Sequence, residues 1–318
     1  MLTNTFIRKI TIATCALLIV LILYTFPKKE ETIDYEQSYN YVENLDKKNN
    51  IFLIDENNYV AMTNIMLSTK NSVKKCEELL QTLIIGSKKS NYIPNGFKAI
   101  IPKKTTINNL DLNEGLLKVD FSKEILNVSL EDEEKMIEAI VYTLTSVDGV
   151  EKVMIFCEGK ILSELPNSGK ILPQTLDRSY GINKVYDLDS LEGTSKTTVY
   201  YISKFNENYY YVPITKINND TTNKVEIIIN ELKSSPIYQT NLMSYLKANV
   251  ELKEYELKEN TISLSFNENL FNDLNSKDIL EEVKYTISLS LKDNFDVDEV
   301  IFLVNDEKVA NLTLKNVE

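Results

Sequence analysis

Hydrophobic and polar residues follow the same order twice along the chain. A short apolar run at residues 51–54 ("IFLI") leads into a polar turn at 55–58, and residues 199–202 ("VYYI") lead into a polar turn at 206–208. Apolar runs on both sides of a polar turn are typical of β-hairpins. The pattern therefore predicts that each of two similar units begins with a hairpin.

An amphipathic helix and then a strand are predicted after each hairpin. Apolar residues three and four positions apart lie on one side of a helix. In the first unit these residues are Val73, Cys76, Leu80, Leu83 and Ile84, and in the second they are Val225, Ile228, Ile229 and Leu232. Alternation of apolar and polar residues then predicts strands at 116–122 and 261–267.

A second helix and a final strand close each unit. Ser129 with Asp132 is predicted to cap the first of these helices, and Ser276 the second. The final strands are predicted at 153–156 and 300–304, so corresponding elements lie about 145 residues apart and indicate two tandem copies of one α+β unit. The apolar stripes of the two helices are Ile137, Ile140, Val141, Leu144 and Val147, and Ile279, Val283, Ile287 and Leu291.

The first 49 residues predict attachment to a membrane. Residues 10–26 are apolar and uncharged, follow Arg8 and Lys9, and favour a retained signal anchor because no small-residue cleavage site follows. We therefore expect a cytoplasmic tail at 1–9, one membrane pass, a polar stalk at 27–49 and an extracytoplasmic remainder. Cys15 is the alternative as a lipid attachment site, but the apolar run continues beyond it.

Residues 161–196 separate the two predicted domains, which span 50–160 and 197–318. This stretch contains Pro166 and Pro173 together with several glycines and serines, which is typical of a linker. Three of its residues, Ile171, Leu172 and Tyr180, are predicted to pack on a domain.

The composition narrows the function classes. The formal net charge of -12 argues against a nucleic acid partner. The chain has no histidine, which removes the commonest general base and the commonest metal ligand. The three cysteines, Cys15, Cys76 and Cys157, have no zinc-binding spacing. We therefore predict a protein without catalytic residues, cofactor or metal.

Three motifs resemble functional sites but favour simpler interpretations. Ser72 and Lys75 match the S-x-x-K pattern of penicillin-binding enzymes, but the accompanying motifs are missing, so Ser72 is interpreted as a helix N-cap beside solvated lysines. Residues 187–193 resemble part of a calcium loop but have leucine at a ligand position, and favour a solvated linker. The acids at 131–134 are interpreted as solvated side chains near a helix N-terminus.

Two further sets of residues are considered: two cysteines and the tyrosines of the second hairpin. Cys76 is predicted to be a buried small hydrophobe and Cys157 a core or edge residue, with a disulfide between them left open. The second hairpin is rich in tyrosine, which is enriched at protein interfaces, although strand propensity explains these residues as well. The residues of this predicted interaction surface are Tyr200, Tyr201, Tyr209, Tyr210 and Tyr211.

The chain resembles the GerM-type (GerMN) domain of bacterial sporulation and spore germination proteins, present in two copies. The resemblance lies in "GLLKVDFSKE" at 115–124, in "EAIVYTLTSVDGVEKVMIF" at 138–156, and in the preceding "LIIGSKKS" and "AIIPKKTTINNLDLNEG". The second copy keeps "EVKYTISLSL" but lacks an equivalent of Ile101-Pro102. The resemblance implies that each unit is a small αβ domain, a mostly antiparallel sheet with two helices packed on one face.

This resemblance also implies the function that we expect. Tandem members support assembly of envelope complexes during spore formation, and the family supplies no catalytic residues. We therefore expect a non-enzymatic scaffold whose partners are other envelope or sporulation proteins, with a homo-oligomer left open. The alternative is an envelope binding module for cell-wall glycan, peptide or a small solute. Tandem members are often lipoproteins, and the apolar anchor of this chain departs from that.

Overall fold

The computed structural model describes residues 49–67, 69–190, 192–220, 222–234, 240–295 and 297–314. All of these residues belong to one compact unit, Leu45–Glu318. The predicted tail, membrane anchor and most of the stalk lie outside the described residues.

The first copy contains the elements that its sequence pattern predicts. Two helices, α1 and α2, alternate with strands β1 to β7, and the predicted hairpin is formed by β1 and β2. Their bounds are β1 (Asn49–Asp55), β2 (Val60–Ile65), α1 (Ser72–Leu83), β3 (Phe97–Lys98), β4 (Ile107–Asn113), β5 (Leu116–Phe121), α2 (Glu133–Leu144), β6 (Lys152–Cys157) and β7 (Lys160–Ile161).

The second copy repeats this order with a longer hairpin. A short strand, β8 (Val185–Asp187), precedes it. The remaining elements are β9 (Ser195–Phe205), β10 (Asn208–Asn218), α3 (Lys224–Ser234), β11 (Leu252–Lys258), β12 (Thr261–Phe266), α4 (Glu281–Asn294), β13 (Glu299–Val304) and β14 (Glu307–Thr313).

Each copy has a four-stranded sheet of its own. The strand orders are β4-β5-β6-β7 and β11-β12-β13-β14. Their central pairs, β5 with β6 and β12 with β13, are parallel, whereas the outer pairs are antiparallel. A parallel pair needs a long crossover connection, and the segments that contain α2 and α4 supply it.

The two hairpins do not join these sheets but meet each other in a third sheet. Its order is β3-β1-β2-β10-β8, and β9 pairs with β10 on the other side. Strand β10 pairs with β2 through Tyr211 and Met62 and then with β8 at Lys216–Asn218. The prediction of one sheet per copy is therefore wrong, because a six-stranded sheet is shared between the copies.

Helices α2 and α4 lie against the shared sheet. Helix α2 is buried around most of its circumference, whereas α4 is buried along one side. Helix α2 contacts β1, β2 and β6, and α4 contacts β9 and β14. Each helix also accepts a backbone hydrogen bond from a buried strand residue: Phe52 N–H donates to Thr143 Oγ1 at 3.0 Å, and Tyr200 N–H donates to Ser290 Oγ at 2.8 Å. Hydroxyl-bearing residues in these helices thus satisfy strand amides in the interior.

Two of the predicted helix starts are wrong. Helix α1 is capped by Asn71, whose Oδ1 accepts from Lys74 N–H at 3.0 Å, and Ser72 is its first residue. Helix α4 begins at Glu281, and Ser276 lies in a turn where Asp273 Oδ1 accepts from the N–H of Asn275 at 2.8 Å. Aspartate favours such local turns over continuation into a helix.

The cap predicted for α2 forms one turn ahead of the helix. Asp132 N–H donates to Ser129 Oγ at 3.2 Å, and the Ser129 hydroxyl donates to the Asp132 carboxylate at 2.8 Å. The helix itself begins at Glu133.

The predicted linker is packed against the first copy over much of its length. Leu176 pairs with Val153 through two backbone hydrogen bonds of 2.7 and 2.8 Å. Leu172 is buried and Tyr180 is half-buried, as predicted, whereas the prediction for Ile171 is wrong because 73% of it is exposed. The linker residues that join the core are Leu165, Leu172, Leu176 and Ile182.

Candidate functional site: the junction between the two copies

A network of hydrogen bonds with one ion pair lies where the two copies meet. Arg178, in the segment that joins them, reaches residues of both closing helices. Its guanidinium contacts Asp293 of α4, and it donates to Ser146 Oγ at 2.8 Å and to the Tyr142 carbonyl at 3.3 Å, both beside the C-terminal end of α2. We call Arg178, Asp293, Tyr200, Tyr142, Thr145 and Ser146 the Arg178 cluster.

Aromatic residues complete the Arg178 cluster. The guanidinium carbon lies 4.9 Å from the ring centre of Tyr142 and 5.7 Å from that of Phe52. Tyr200 donates its hydroxyl hydrogen to the second carboxylate oxygen of Asp293 at 2.7 Å. The cation is therefore enclosed by rings and a carboxylate from both copies, which is a setting that arginine fills better than lysine.

Burial and charge fix the ionisation of this cluster. Burial alone would lower the pKa of Arg178, but the Asp293 carboxylate outweighs it and raises that pKa. Burial, together with Asp293, raises the pKa of Tyr200 well above its usual value. The guanidinium of Arg178 thus stays charged and the hydroxyl of Tyr200 stays neutral, which suits a structural contact rather than proton transfer.

Asn183 bridges β2 and β10 two residues away from the point where Met62 of β2 pairs with Tyr211 of β10. Its side chain accepts from Val60 N–H at 2.9 Å and donates to the carbonyls of Val60 and Pro213, each at 2.8 Å. Its backbone has a φ of 47°, a left-handed conformation that asparagine tolerates better than most residues. One side chain therefore replaces a rung of the ladder between β2 and β10.

A second set of junction contacts surrounds Asp55. This fully buried carboxylate accepts from Tyr59 N–H at 2.8 Å and from the Tyr210 hydroxyl of the second copy at 2.9 Å. Burial raises its pKa despite these hydrogen bonds. Beside it, Gly96 has a φ of +89° and lies so close to the Phe205 ring that an added Cβ would lie 2.6 Å from it.

The acids at the start of α2 hold the joining segment in place. Glu133 accepts from the N–H groups of Asn167 and Ser168 at 2.8 and 3.0 Å, and these bonds lower its pKa against the effect of burial. Lys184 lies 2.6 Å from Glu138 and 2.9 Å from Glu134. The interpretation of 131–134 as solvated side chains is therefore wrong for Glu133, which is 2% exposed.

The five tyrosines of the predicted interaction surface are divided between core and surface. Tyr200, Tyr201 and Tyr210 are at most 2% exposed, so the structure contradicts their assignment to an outer surface. Tyr200 and Tyr201 are consecutive and point to opposite faces of the sheet. The Tyr200 hydroxyl donates to Asp293 of α4, the Tyr201 hydroxyl to Glu231 of α3 at 3.1 Å, and the Tyr210 hydroxyl to Asp55. Tyr209 and Tyr211 are half-buried, and their part in an interface stays a prediction.

The remaining candidates occupy structural positions. Cys76 is buried and Cys157 half-buried, both are free thiols, and burial raises the pKa of Cys76 to about 12. In residues 187–193, which were interpreted as a solvated linker, the N–H of Asp189 donates to Asn219 Oδ1 at 2.8 Å. Within the described ranges, no group of three or more acidic, cysteine or histidine side chains is arranged to hold a metal ion.

No helix among the described residues is long and apolar enough to cross a bilayer. The predicted anchor at 10–26 and Cys15 lie outside those residues.

Two surface grooves lie away from the junction. The larger, about 520 Å³, runs between the C-terminal half of α1 and the start of β4, and we call it the α1 groove. The smaller, about 350 Å³, lies at the end of the second four-stranded sheet between Phe271 and Val309.

The sequence-based interpretation did not single out Arg178, Asn183 or Asp293. For Arg178 a signal existed, because arginine occurs only at positions 8 and 178 in a chain that otherwise uses lysine. Asn183 and Asp293 carry no comparable signal, since Asn183 bonds to Val60, 123 positions away in the chain, and Asp293 to Arg178, 115 positions away.

The sequence and fold were compared with known proteins. A family model described as "Germane: Sporulation and spore germination" matches residues 45–163 and 198–310. The chain belongs to the Germane family. The two matched regions correspond to the two copies, so the resemblance to tandem GerM-type domains is confirmed, and the junction described above joins one Germane domain to the other.

Relatives of this Germane protein agree in sequence and in fold. The spore germination protein GerM of Bacillus subtilis (strain 168) is 34% identical over 260 residues, which cover 80% of this chain and 70% of that protein. The solved structure of the tandem GerMN domains of the sporulation protein GerM from Bacillus subtilis matches with a TM-score of 0.75 and 31% identity. It covers 82% of this chain and 91% of that one.

Proposed function

We propose that this Germane protein is a non-enzymatic scaffold or assembly factor of the bacterial envelope that acts in sporulation or spore germination. In this proposal residues 10–26 anchor it in the cytoplasmic membrane, and domains spanning 50–160 and 197–318 lie outside the cytoplasm. Its partners are other envelope or sporulation proteins.

The observation that carries the proposal is the Arg178 cluster. Active sites hold buried ionisable groups in strained or accessible arrangements that chemistry can use. Here the half-buried guanidinium pairs with the buried carboxylate of Asp293, lies against the rings of Tyr142 and Phe52 and contacts both copies. The charges of Arg178 and Asp293 therefore stabilise the contact between the two domains, and a scaffold requires such a fixed contact.

The experiment is a deletion of the gene in the organism, followed by imaging of tagged envelope complexes in sporulating cells. Crosslinking of the full-length protein in the same cells identifies the partners to be tagged. We expect a captured partner to lose its localisation in the deletion strain and to recover it with the intact gene. A control gene encoding residues 1–48 fused to an unrelated fluorescent protein should not restore it. Normal partner localisation and normal spore formation without the gene would overturn the proposal.

The alternative of a cell-wall binding module finds less support. It calls for a groove with exposed tyrosines, and no described residue lining either surface groove is a tyrosine. Sedimentation of the full-length protein in detergent with purified peptidoglycan tests this alternative. Retention by the pelleted wall would favour the binding module over the scaffold.

A further inference from the structure

The first copy carries a lysine-rich stretch that the second copy lacks. Between the end of its hairpin and its edge strand, at residues 66–106, it has eight lysines and two glutamates, a net charge of +6. The corresponding residues of the second copy, 219–251, have three lysines and four acids, a net charge of -1. The whole chain has a net charge of -12. Because both copies have the same fold and only the first has this basic segment, the fold alone does not account for the lysines.

The charges of the basic segment are mostly available to solvent. Among the described residues, only Lys89 of the eight forms an ion pair, with Glu78 at 3.0 Å. The exposed lysines are Lys70, Lys74, Lys88, Lys98, Lys103 and Lys104. Unneutralised charge of one sign attracts a partner of the opposite sign and steers its approach.

The α1 groove lies within this basic segment. Its apolar lining is formed by Ile84, Ile85 and Ile107, and two charged side chains, Lys104 and Glu77, also line it. Lys74 lies on the same side of α1 as Glu77 and Gln81, because residues three and four positions apart share a helical face. The groove thus combines an apolar lining with one lysine and one carboxylate, and Lys74 lies one helical turn before that carboxylate on the same face of α1.

The groove opens beside an edge strand with free pairing capacity. Within the described residues, β4 pairs on one side only, with β5, and its first residue Ile107 lines the groove. Edge strands are commonly protected from pairing by charged side chains. The equivalent strand β11 has four charged residues in seven, whereas β4 ("INNLDLN") has only Asp111.

We propose that the α1 groove and the edge of β4 bind an extended acidic segment of a protein partner. The segment adds to β4 as a further strand through main-chain hydrogen bonds, places an apolar side chain against Ile84 and Ile85, and directs its carboxylates to Lys74 and Lys104. Binding of extended peptides at a sheet edge uses main-chain bonds for affinity and side-chain contacts for specificity. The inference rests on the proposed function in taking the ligand to be part of a protein partner.

The binding test uses the full-length chain in a neutral detergent and a labelled ten-residue peptide of alternating valine and glutamate. Fluorescence anisotropy measures its dissociation constant beside those of two control peptides. One replaces glutamate by lysine, and the other replaces two central valines by proline, which cannot donate to the β-ladder. We expect binding of the valine–glutamate peptide alone, with weaker binding at high salt because of charge screening.

Variants locate the site. Lys74→Glu with Lys104→Asn should weaken binding at least about tenfold, because it removes both lysine charges; asparagine suits the left-handed backbone at position 104. Gln81→Trp fills the α1 groove from an exposed helix face and should weaken binding without altering the lysines. The control, Lys253→Glu with Lys258→Glu on β11, reverses two charges at the protected edge and should leave binding unchanged. Far-UV circular dichroism checks that each variant is folded.

Three outcomes would overturn the inference. The first is equal binding of the proline peptide, which would show charge attraction without strand addition. The second is an equal loss of binding in the β11 control. The third is binding to vesicles containing phosphatidylglycerol but not to the acidic peptide, which would assign the lysines to a membrane surface. None of these outcomes bears on partner localisation in the deletion strain, so the scaffold proposal stands or fails separately.

Discussion

Arginine and lysine have different tasks in this chain. Lysines populate the surface, whereas the single arginine of the described residues lies in the Arg178 cluster. Its planar group donates in several directions at once and stacks on rings, which an ammonium group does not do. Replacement of Arg178 by lysine is therefore expected to disrupt the junction although it preserves the charge.

Removal of Asp293 should destabilise the fold strongly. Its side chain is 1% exposed, and Asp293→Ala leaves the Arg178 guanidinium enclosed without its counter-charge. Loss of one partner of a buried ion pair costs about 3–5 kcal/mol, and because the Arg178 side chain is 22% exposed we expect a loss near the lower end of that range. Urea unfolding followed by circular dichroism should show a loss of this size. The control is Glu207→Ala, which removes the 95% exposed partner of Lys204 and should leave the midpoint nearly unchanged. Similar midpoints for both variants would contradict the prediction.

Asp55 should make the stability of the protein depend on pH. Because its pKa is raised in the folded state, the folded protein binds a proton there more readily than the unfolded chain. Protonation of Asp55 therefore stabilises the folded state. This stabilisation is fully present below the pKa that Asp55 has in the unfolded chain, about 3.9, and it is lost as the pH rises through the higher pKa of Asp55 in the folded protein. The wild type should therefore gain stability relative to Asp55→Asn between pH 7 and pH 4.5.

Urea unfolding of both proteins at the two pH values measures this difference. Since other carboxylates titrate equally in both proteins, the comparison isolates Asp55. A difference in unfolding free energy that stays constant, or that moves against the wild type on acidification, would contradict the prediction.

At the scale of elements, periodicity predicted most helices and strands. The stripe Ile137, Ile140, Val141 and Leu144 is buried in α2, and the alternating strands β5 and β12 were found near their predicted bounds. The apolar pattern succeeds there because burial of one face is what stabilises each element. The start of α4 was missed because the local turn at Asp273 competes with a serine cap.

An alignment of the two copies by sequence places α4 one helical turn away from its structural match with α2. Tyr142-Thr143 and Tyr285-Thr286 match in sequence. In the structure, however, Ser290 takes the place of Thr143 in binding a strand amide, while Thr286 donates its hydroxyl hydrogen to the carbonyl of Glu282. Helical faces repeat after about four residues, so both registers preserve the apolar stripe and the pattern does not distinguish them.

The shared sheet and its junction could not be predicted. Alternation indicates which face of a strand is buried but not which edge pairs with which neighbour. Met62 and Tyr211, which pair across the copies, lie far apart in the sequence, and Asn183 bridges the same strands from a stretch that reads as linker. The site therefore depends on long-range contacts that neither composition nor periodicity records.

Replacement of Asn183 should loosen the strand pair that it bridges. Asn183→Gly keeps the left-handed backbone accessible but removes three hydrogen bonds between 2.8 and 2.9 Å. At about 1 kcal/mol for each bond, the expected loss of stability is about 2–3 kcal/mol. The amide of Val60, which loses its acceptor, should exchange with deuterium faster. Asn206→Gly, at an exposed left-handed turn position, is the matched control and should change neither quantity. Unchanged exchange at Val60 would contradict the assigned role.

At the scale of the whole molecule, the two copies share both a sheet and part of their cores. Ala61 of the first copy packs in the core of the second, and Tyr200 of the second packs in the core of the first. Neither half can lose its structure without exposing apolar surface of the other. We therefore expect each copy to depend on the other for its stability.

The two copies should unfold in one cooperative transition. Pulsed deuterium labelling across a urea series, read by mass spectrometry, reports on α2 and α4 separately in the same sample. We expect peptides from both helices to lose protection at the same urea concentration, as two-state unfolding requires. Asp293→Ala should lower both midpoints together. Protection of α2 that persists after α4 has unfolded, or the reverse, would show that the copies are independent.

The meeting of β2 with β10 also has a consequence for assembly. A hairpin with an unpaired edge on a separate molecule would find a second hairpin only by collision, at a rate set by the amount of protein in the cell. Here one polypeptide carries both, so the encounter is first order and its extent does not change on dilution. The chain delivers its two domains in a fixed one-to-one ratio, and these edges are occupied before any other molecule can reach them.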